Sequence, residues 1–220
     1  RTLAEALVGA DVFVGVSAGG ILKPDMLKAM AASPIVFAMA NPEPEIMPDV
    51  ARAARPDAII GTGRSDFPNQ INNVLGFPYL FRGALDCGAT TFNTAMKVAA
   101  AEALAALARK EAEPGLVKAY KGQTLKFGPE YVIPKPFDSR LLSTIAPAVA
   151  KAAQDSGVAK RPIADMDAYA AGLRDTVDQS FRIMRQVYNQ ARSNHGAGTK
   201  KIVYPEGEDP RILQTAQEVI

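Results

Sequence analysis

Near the start of the chain, apolar positions gather into three short runs, DVFVGV at 11–16, PIVFAMA at 34–40 and AIIGTG at 58–63. Runs of this length, rich in β-branched residues and bounded by Gly, Pro, Asn or Asp, read as strands. The segments around them have helical character, predicting helices over 2–8, 24–32 and 48–54, with Gly9 as the stop of the first and Pro24 in the first turn of the second. An antiparallel sheet with one wet face would alternate apolar and polar residues. Nearly all-apolar strands separated by helices therefore imply a parallel sheet covered on both faces. The expectation is an α/β fold built on half of a doubly wound, Rossmann-like sheet.

From Asn72 the pattern turns helical, first to about 85 and then through an Ala-rich stretch at 90–112. Residues 114–137 carry scattered prolines and read as irregular, with a short strand at 131–133. Two more helices are expected, near 139–154 and 165–192. The second places Met166, Ala170, Leu173, Val177, Phe181, Met184, Tyr188 and Ala191 at steps of three and four, a stripe that must be buried either on its own domain or at a subunit or interdomain contact. Residues 193–199 read as a linker, and beyond it a strand at 202–204 and a helix from about Asp209 begin a second α/β domain. The domain expectation is a cofactor-binding part at 1–137, a helical extension at 138–192, the linker, and the start of the second domain at 200–220. Starting on a helix and stopping inside a strand–helix unit reads as a segment of a longer polypeptide.

Composition narrows the function classes. With 48% apolar and 22% charged residues and a formal net charge of +2, neither charge-driven disorder nor electrostatic nucleic-acid binding is suggested. A single cysteine, Cys87, and a single histidine, His195, exclude an internal disulfide and the usual His/Cys zinc site. No apolar run reaches the roughly 20 residues of a membrane span, and the first residues lack a secretory pattern, so a soluble cytoplasmic protein is expected.

In an open parallel sheet ligands bind beyond the carboxyl ends of the strands, which directs attention to Ser17, Ala18, Gly19 and Gly20, to Asn41, and to the stretch from Gly61 to Asp66. Small residues let a flat ring or a phosphate approach backbone, and Asn41 offers both a donor and an acceptor. Asn69, Gln70, Asn72 and Asn73 follow at a helix entrance. Four amides exceed what one helix cap requires and suit a carboxylate or carboxamide held by neutral hydrogen bonds. Arg64 and Arg82 either add a charge-assisted grip on an anion or lie solvated at the surface. Glu43, Glu45 and Asp49, interleaved with Pro42, Pro44 and Pro48, read as an exposed loop rather than a magnesium site. Neither a G-x-G-x-x-G fingerprint nor a Walker motif occurs, His195 lacks a triad partner, and Lys97 and Asp86 fit exposed or capping helix positions.

The stretches VFVGVSAGGILKPDML, PIVFAMANPEPEI and AIIGTGRSDFPNQINNVLGFPYLFRGALD, continued by YVIPKPFD and SGVAKRPIADMDAY, resemble the cofactor domain of bacterial malic enzymes. After the linker, KIVYPEGEDPRILQTAQ is similar to the opening of a phosphotransacetylase domain, a combination found in large hybrid malic enzymes. The resemblance implies oxidative decarboxylation of L-malate to pyruvate and carbon dioxide with reduction of NADP or NAD, assisted by Mg2+ or Mn2+. By the same resemblance, Asn41 and Asn73 hold malate or the nicotinamide carboxamide with Asn72 beside them, and Ser17, Ala18, Gly19 and Gly20 lie along the nicotinamide end of the cofactor. The catalytic Tyr and Lys, the acidic metal ligands and the glycine fingerprint of that family have no counterparts in this chain, so it is expected not to turn over alone. A homo-oligomer and an acetyl-CoA-responsive downstream half are further implications. The alternatives are a non-catalytic assembly and docking module, or a fragment of another two-domain dehydrogenase.

Overall fold

The first helix, α1 (Leu3–Leu7), is closed at its start by a reciprocal cap in which Thr2 Oγ1 accepts from the Glu5 amide and Glu5 accepts from the Thr2 amide. The chain then runs β1 (Val12–Gly15), α2 (Pro24–Lys28), β2 (Ile35–Ala38), α3 (Pro48–Ala54) and β3 (Ile59–Thr62). Pro24 and Pro48 open their helices, where a missing N–H costs nothing. This is a computed structural model, and it describes residues 2–120 and 123–177.

The three strands form one parallel sheet in the order β1-β2-β3, with Phe13, Val36 and Ile60 in register across it. These three meet Leu7, Leu22, Leu27, Met30, Ile46 and Ala51 in a single apolar core, so α1, α2 and α3 all pack on one face of the sheet. The expectation of burial on both faces fails at β1. Val12, Val14 and Val16 alternate with Phe13 and Gly15 and are 49%, 59% and 77% exposed. An apolar run specifies side chains able to be buried on either face; which face is covered depends on the elements packed there.

Beyond β3 the chain loops round to run parallel beside its end, with the Ile71 amide donating to the Thr62 carbonyl at 2.8 Å, and a 3-10 turn at Asn73–Leu75 leads into α4 (Phe77–Asp86). Two longer helices, α5 (Thr94–Ala108) and α7 (Arg140–Asp155), pack with α4 around a second core of Leu75, Met96, Leu107, Leu141, Ile145 and Val149. The short α6 (Pro114–Ala119) lies between them in sequence and contributes Leu116 to a smaller cluster with Leu125 and Tyr131. The strand expected at 131–133 is absent; Tyr131 instead pairs with Gly128 in an isolated bridge. Residues 166–177 are helical and bury Leu173, while Phe181, Met184, Tyr188, Ala191, the linker with His195 and the expected second-domain elements lie outside the described residues. Among the described residues no helix is long and apolar enough to cross a membrane.

Helices α4 and α7 approach closely at Gly83, where an added Cβ would overlap the Ala146 carbonyl oxygen and stand 3.0 Å from the Val149 Cβ. The obstacle is backbone and cannot swing aside. Gly83→Ala is therefore expected to destabilise the protein by about 1–3 kcal/mol despite the better helix propensity of alanine. A urea or thermal unfolding curve checks this, and an unchanged or raised midpoint would count against the close contact.

Candidate functional site at the carboxyl ends of the strands

The carboxyl ends of all three strands open into one cavity of about 1010 Å³. Val16 reaches it from the end of β1, Met39, Ala40 and Asn41 from β2, and Gly63 and Arg64 from β3. Asn72, Asn73 and Gly76 from the turn before α4 extend the polar rim, and Phe77, Phe81 and Phe92 form an apolar wall in which consecutive ring centroids are 4.9 Å apart. Lys97 of α5 also lines the cavity.

The amides divide by partner. Asn72 caps the 3-10 turn, its Oδ1 accepting from the Val74 amide at 3.1 Å and its Nδ2 donating to the Gly63 carbonyl at 3.3 Å. Asn41 and Asn73 are exposed on the cavity, and no side-chain hydrogen bond engages either among the described residues. Each therefore keeps a donor pair and an acceptor with no side-chain hydrogen bond among the described residues. The Asn41–Pro42 peptide is cis.

Asn69 does something else. It adopts a left-handed backbone with φ of 53° and is buried, and its side chain donates to the carbonyls of Ile60 and Pro129 at 2.9 and 2.7 Å while accepting from the Val132 amide at 2.8 Å. The four-amide cluster is thus split: the Asn69 side chain staples the 129–132 segment to β3, the Gln70 backbone bridges to Thr62, the Asn72 side chain caps, and no side-chain hydrogen bond engages Asn73 among the described residues. Adjacency in sequence does not mean a shared direction once the backbone turns left-handed.

Arg64 lies on the cavity rim but forms a two-point pair with Asp66 at 2.9 and 2.6 Å and holds that carboxyl below its ordinary range. Arg82 is not among the residues lining the cavity and pairs with Asp86 at 2.6 Å. Asp86 also accepts from the Tyr169 hydroxyl at 2.6 Å. Cys87 is fully buried, its thiol pushed up by burial, which makes it unreactive.

The largest departure from expectation is Glu45. Its proline-flanked stretch reads as an exposed loop, yet the side chain is fully buried. Its Oε1 accepts from the Ser17 amide and hydroxyl at 2.8 and 3.0 Å, and its Oε2 accepts from the Ala40 amide at 3.0 Å. Burial pushes this carboxyl up, but the bonds donated by the Ser17 and Ala40 amides and the Ser17 hydroxyl outweigh it and hold the carboxyl below its ordinary value. The overlooked signal was Gly15, a glycine inside an otherwise β-branched strand, which marks a close approach. A Cβ there would overlap the Glu45 carboxylate. The loop at 17–20 is drawn to the same segment by the Gly20 amide donating to the Pro44 carbonyl at 3.1 Å and by Gly19, whose added Cβ would stand 2.7 Å from the Glu43 Cβ. Ser17, Ala18, Gly19 and Gly20 themselves flank the cavity rather than line it.

A parallel α/β layer whose strand ends open into a cavity rimmed by amides and floored by apolar side chains is the arrangement of a dinucleotide-binding domain. Residues 2–117 match the family model described as malic enzyme, NAD binding domain. The chain belongs to that family. It is 57% identical over all 220 residues to an NAD-dependent malic enzyme of Rhizobium meliloti and 55% identical over the same length to an NADP-dependent malic enzyme of Salmonella typhimurium. It spans about 28% of the length of each of these curated relatives. The crystal structure of a malic enzyme from Pyrococcus horikoshii is similar at 34% identity with a TM-score of 0.71, covering 88% of this chain and 41% of that one.

Proposed function

We propose that this chain is the nicotinamide-side portion of an enzyme that oxidatively decarboxylates L-malate to pyruvate and carbon dioxide with reduction of NADP or NAD. The observation that carries the reading is the pair of unpartnered amides, Asn41 and Asn73, on one cavity at the strand ends of a domain of the malic enzyme family. Their donor and acceptor sets suit a carboxamide and a carboxylate, and the apolar wall of Val16, Ile71, Leu75 and Leu80 suits a flat ring. A nicotinamide held here would supply the hydride acceptor for malate C2. The residues of this chain supply placement: Asn41 and Asn73 hold the two reactants by neutral hydrogen bonds, Lys97 adds a cation for the dianionic substrate, and Ser17, Ala18, Gly19 and Gly20, flanking the cavity, lie toward the nicotinamide end of the cofactor. Holding both partners in a reactive arrangement is itself worth several kcal/mol of barrier.

Among the described residues no three His, Cys, Asp or Glu side chains are grouped to hold a metal, so these residues by themselves do not fit Mg2+ or Mn2+. Within the same reading, the metal ligands and the acid and base lie upstream, residues 138–192 make oligomer or interdomain contacts, and residues 200–220 open a phosphotransacetylase-like domain responsive to acetyl-CoA. The test is an assay of the full-length polypeptide with L-malate, NADP or NAD, and Mg2+ or Mn2+. Malate-dependent formation of reduced nicotinamide is expected. Its absence with both cofactors and both metals would overturn the proposal.

A further inference from the structure

We propose that Glu45 is a positioning residue of this site, its carboxylate tying the loop after β1 to the turn after β2 and so setting the spacing between the two walls that receive cofactor and substrate. The inference rests on the function proposed above and deepens it.

The carboxylate is fully buried, and all three of its side-chain partners are uncharged donors. Two of them belong to Ser17, the first residue of the loop bordering the nicotinamide, and the third to Ala40, the residue immediately before Asn41. One rigid planar group thus bonds both loops at once, one oxygen to each. Backbone bonds complete the seam, with the Leu22 amide donating to the Glu45 carbonyl at 3.0 Å and the Gly20 amide to the Pro44 carbonyl at 3.1 Å.

Only an ionised carboxylate fits this donor set. It presents acceptor lone pairs on both oxygens, whereas an amide of the same shape has one acceptor and must turn an NH2 group toward either Ala40 or Ser17. Burying a charge without a cation is unfavourable unless hydrogen bonds compensate. An apolar side chain such as the neighbouring Ile46, also buried, would fill the space without that penalty. The carboxylate therefore serves the connection between the loops, not the volume it occupies.

The experiment compares wild type, Glu45→Gln and Gly15→Ala in the full-length polypeptide. The second variant displaces the carboxylate by steric overlap and leaves its charge in place, which provides the same test if Glu45→Gln does not fold. Three readouts are taken: hydrogen exchange at the Ser17 and Ala40 amides, steady-state kinetics with L-malate, and the isotope effect with malate deuterated at C2. Faster exchange at those two amides, with β2–β3 amides unchanged, is expected to accompany a loss in kcat of about 10- to 100-fold, a change in KM for malate of less than about 3-fold, and a larger isotope effect. Unchanged exchange overturns the proposal. So does accelerated exchange with kcat and the isotope effect unaltered, which would make Glu45 a structural tie only. A wild type unable to reduce either cofactor with malate overturns the proposed function and this inference with it, whereas an active wild type with unaffected variants overturns this inference alone.

Discussion

Replacing Asn73 by alanine in the full-length polypeptide lowers kcat/KM for malate by about 30- to 1000-fold, corresponding to roughly 2–4 kcal/mol of lost transition-state stabilisation, and leaves the unfolding midpoint where it was. The two halves of this expected result have one cause. Asn73 lines the cavity, is exposed, and has no side-chain hydrogen-bond partner among the described residues, so its removal takes no such bond from the fold. On the function proposed above, its hydrogen-bonding capacity is kept for the bound reactants. Asn72, one position earlier, is the contrast, since its amide is already engaged by Val74 and Gly63. Steady-state kinetics beside a urea unfolding curve read both halves. Activity within about threefold of wild type would remove Asn73 from the role proposed for it.

Asn69→Ala gives the opposite profile. It deletes three hydrogen bonds to buried or part-buried backbone groups, leaving the Ile60 and Pro129 carbonyls and the Val132 amide without this partner. It also puts a Cβ-bearing residue with no local side-chain bond at a φ of 53°. The expected loss of stability is about 2–4 kcal/mol, since net hydrogen bonds contribute about 1 kcal/mol each and unsatisfied buried groups add to the loss. Asn69→Gly separates the two contributions, because glycine accepts the left-handed backbone but restores none of the bonds. Denaturant unfolding of both variants checks this. A shift below about 0.5 kcal/mol for Asn69→Ala would mean that the staple to the 129–132 segment does not bear on stability.

Much of the scaffold was legible in the chain itself. The runs at 11–16, 34–40 and 58–63 each contain a strand, and Pro24 and Pro48 stand at the helix starts where their missing N–H is tolerated. The helix expected at 48–54 is found over Pro48–Ala54, but others are shorter than their patterns: the Ala-rich stretch at 90–112 yields a helix over Thr94–Ala108, and 24–32 yields Pro24–Lys28. Periodicity marks where a helix can run, but the local competition between caps, turns and backbone bonds marks where it stops. Asn93, for instance, starts α5 by accepting from the Met96 amide at 3.0 Å.

The site was legible only in part, and Glu45 and Asn69 show why. Prolines around Glu45 correctly signal a loop, but a loop can fold inward when backbone donors wait for its carboxylate, and those donors, Ser17 and Ala40, are 28 and 5 residues away. Asn69 looks interchangeable with Asn73 by residue type, and only the left-handed turn between β3 and the 3-10 turn sends the two amides in different directions. Lys97 reads as a surface helix residue until α5 is packed beside α4 and its exposed face becomes a cavity wall.

By itself, the amino-acid order determined the parallel α/β class, pointed to the strand ends where the cavity opens, and singled out the amides at 41 and 73 as candidates. These follow from local preferences, the length and apolarity of each run and the turn residues after it. The tertiary structure alone decided that Val12, Val14 and Val16 are exposed among the described residues, that Glu45 is a buried link between two loops, and that the Asn69 side chain bonds Ile60, Pro129 and Val132 while no such bond engages Asn73 among those residues. Each depends on which distant backbone groups arrive at hydrogen-bonding distance, a property of the packed chain that nearest-neighbour preferences do not contain.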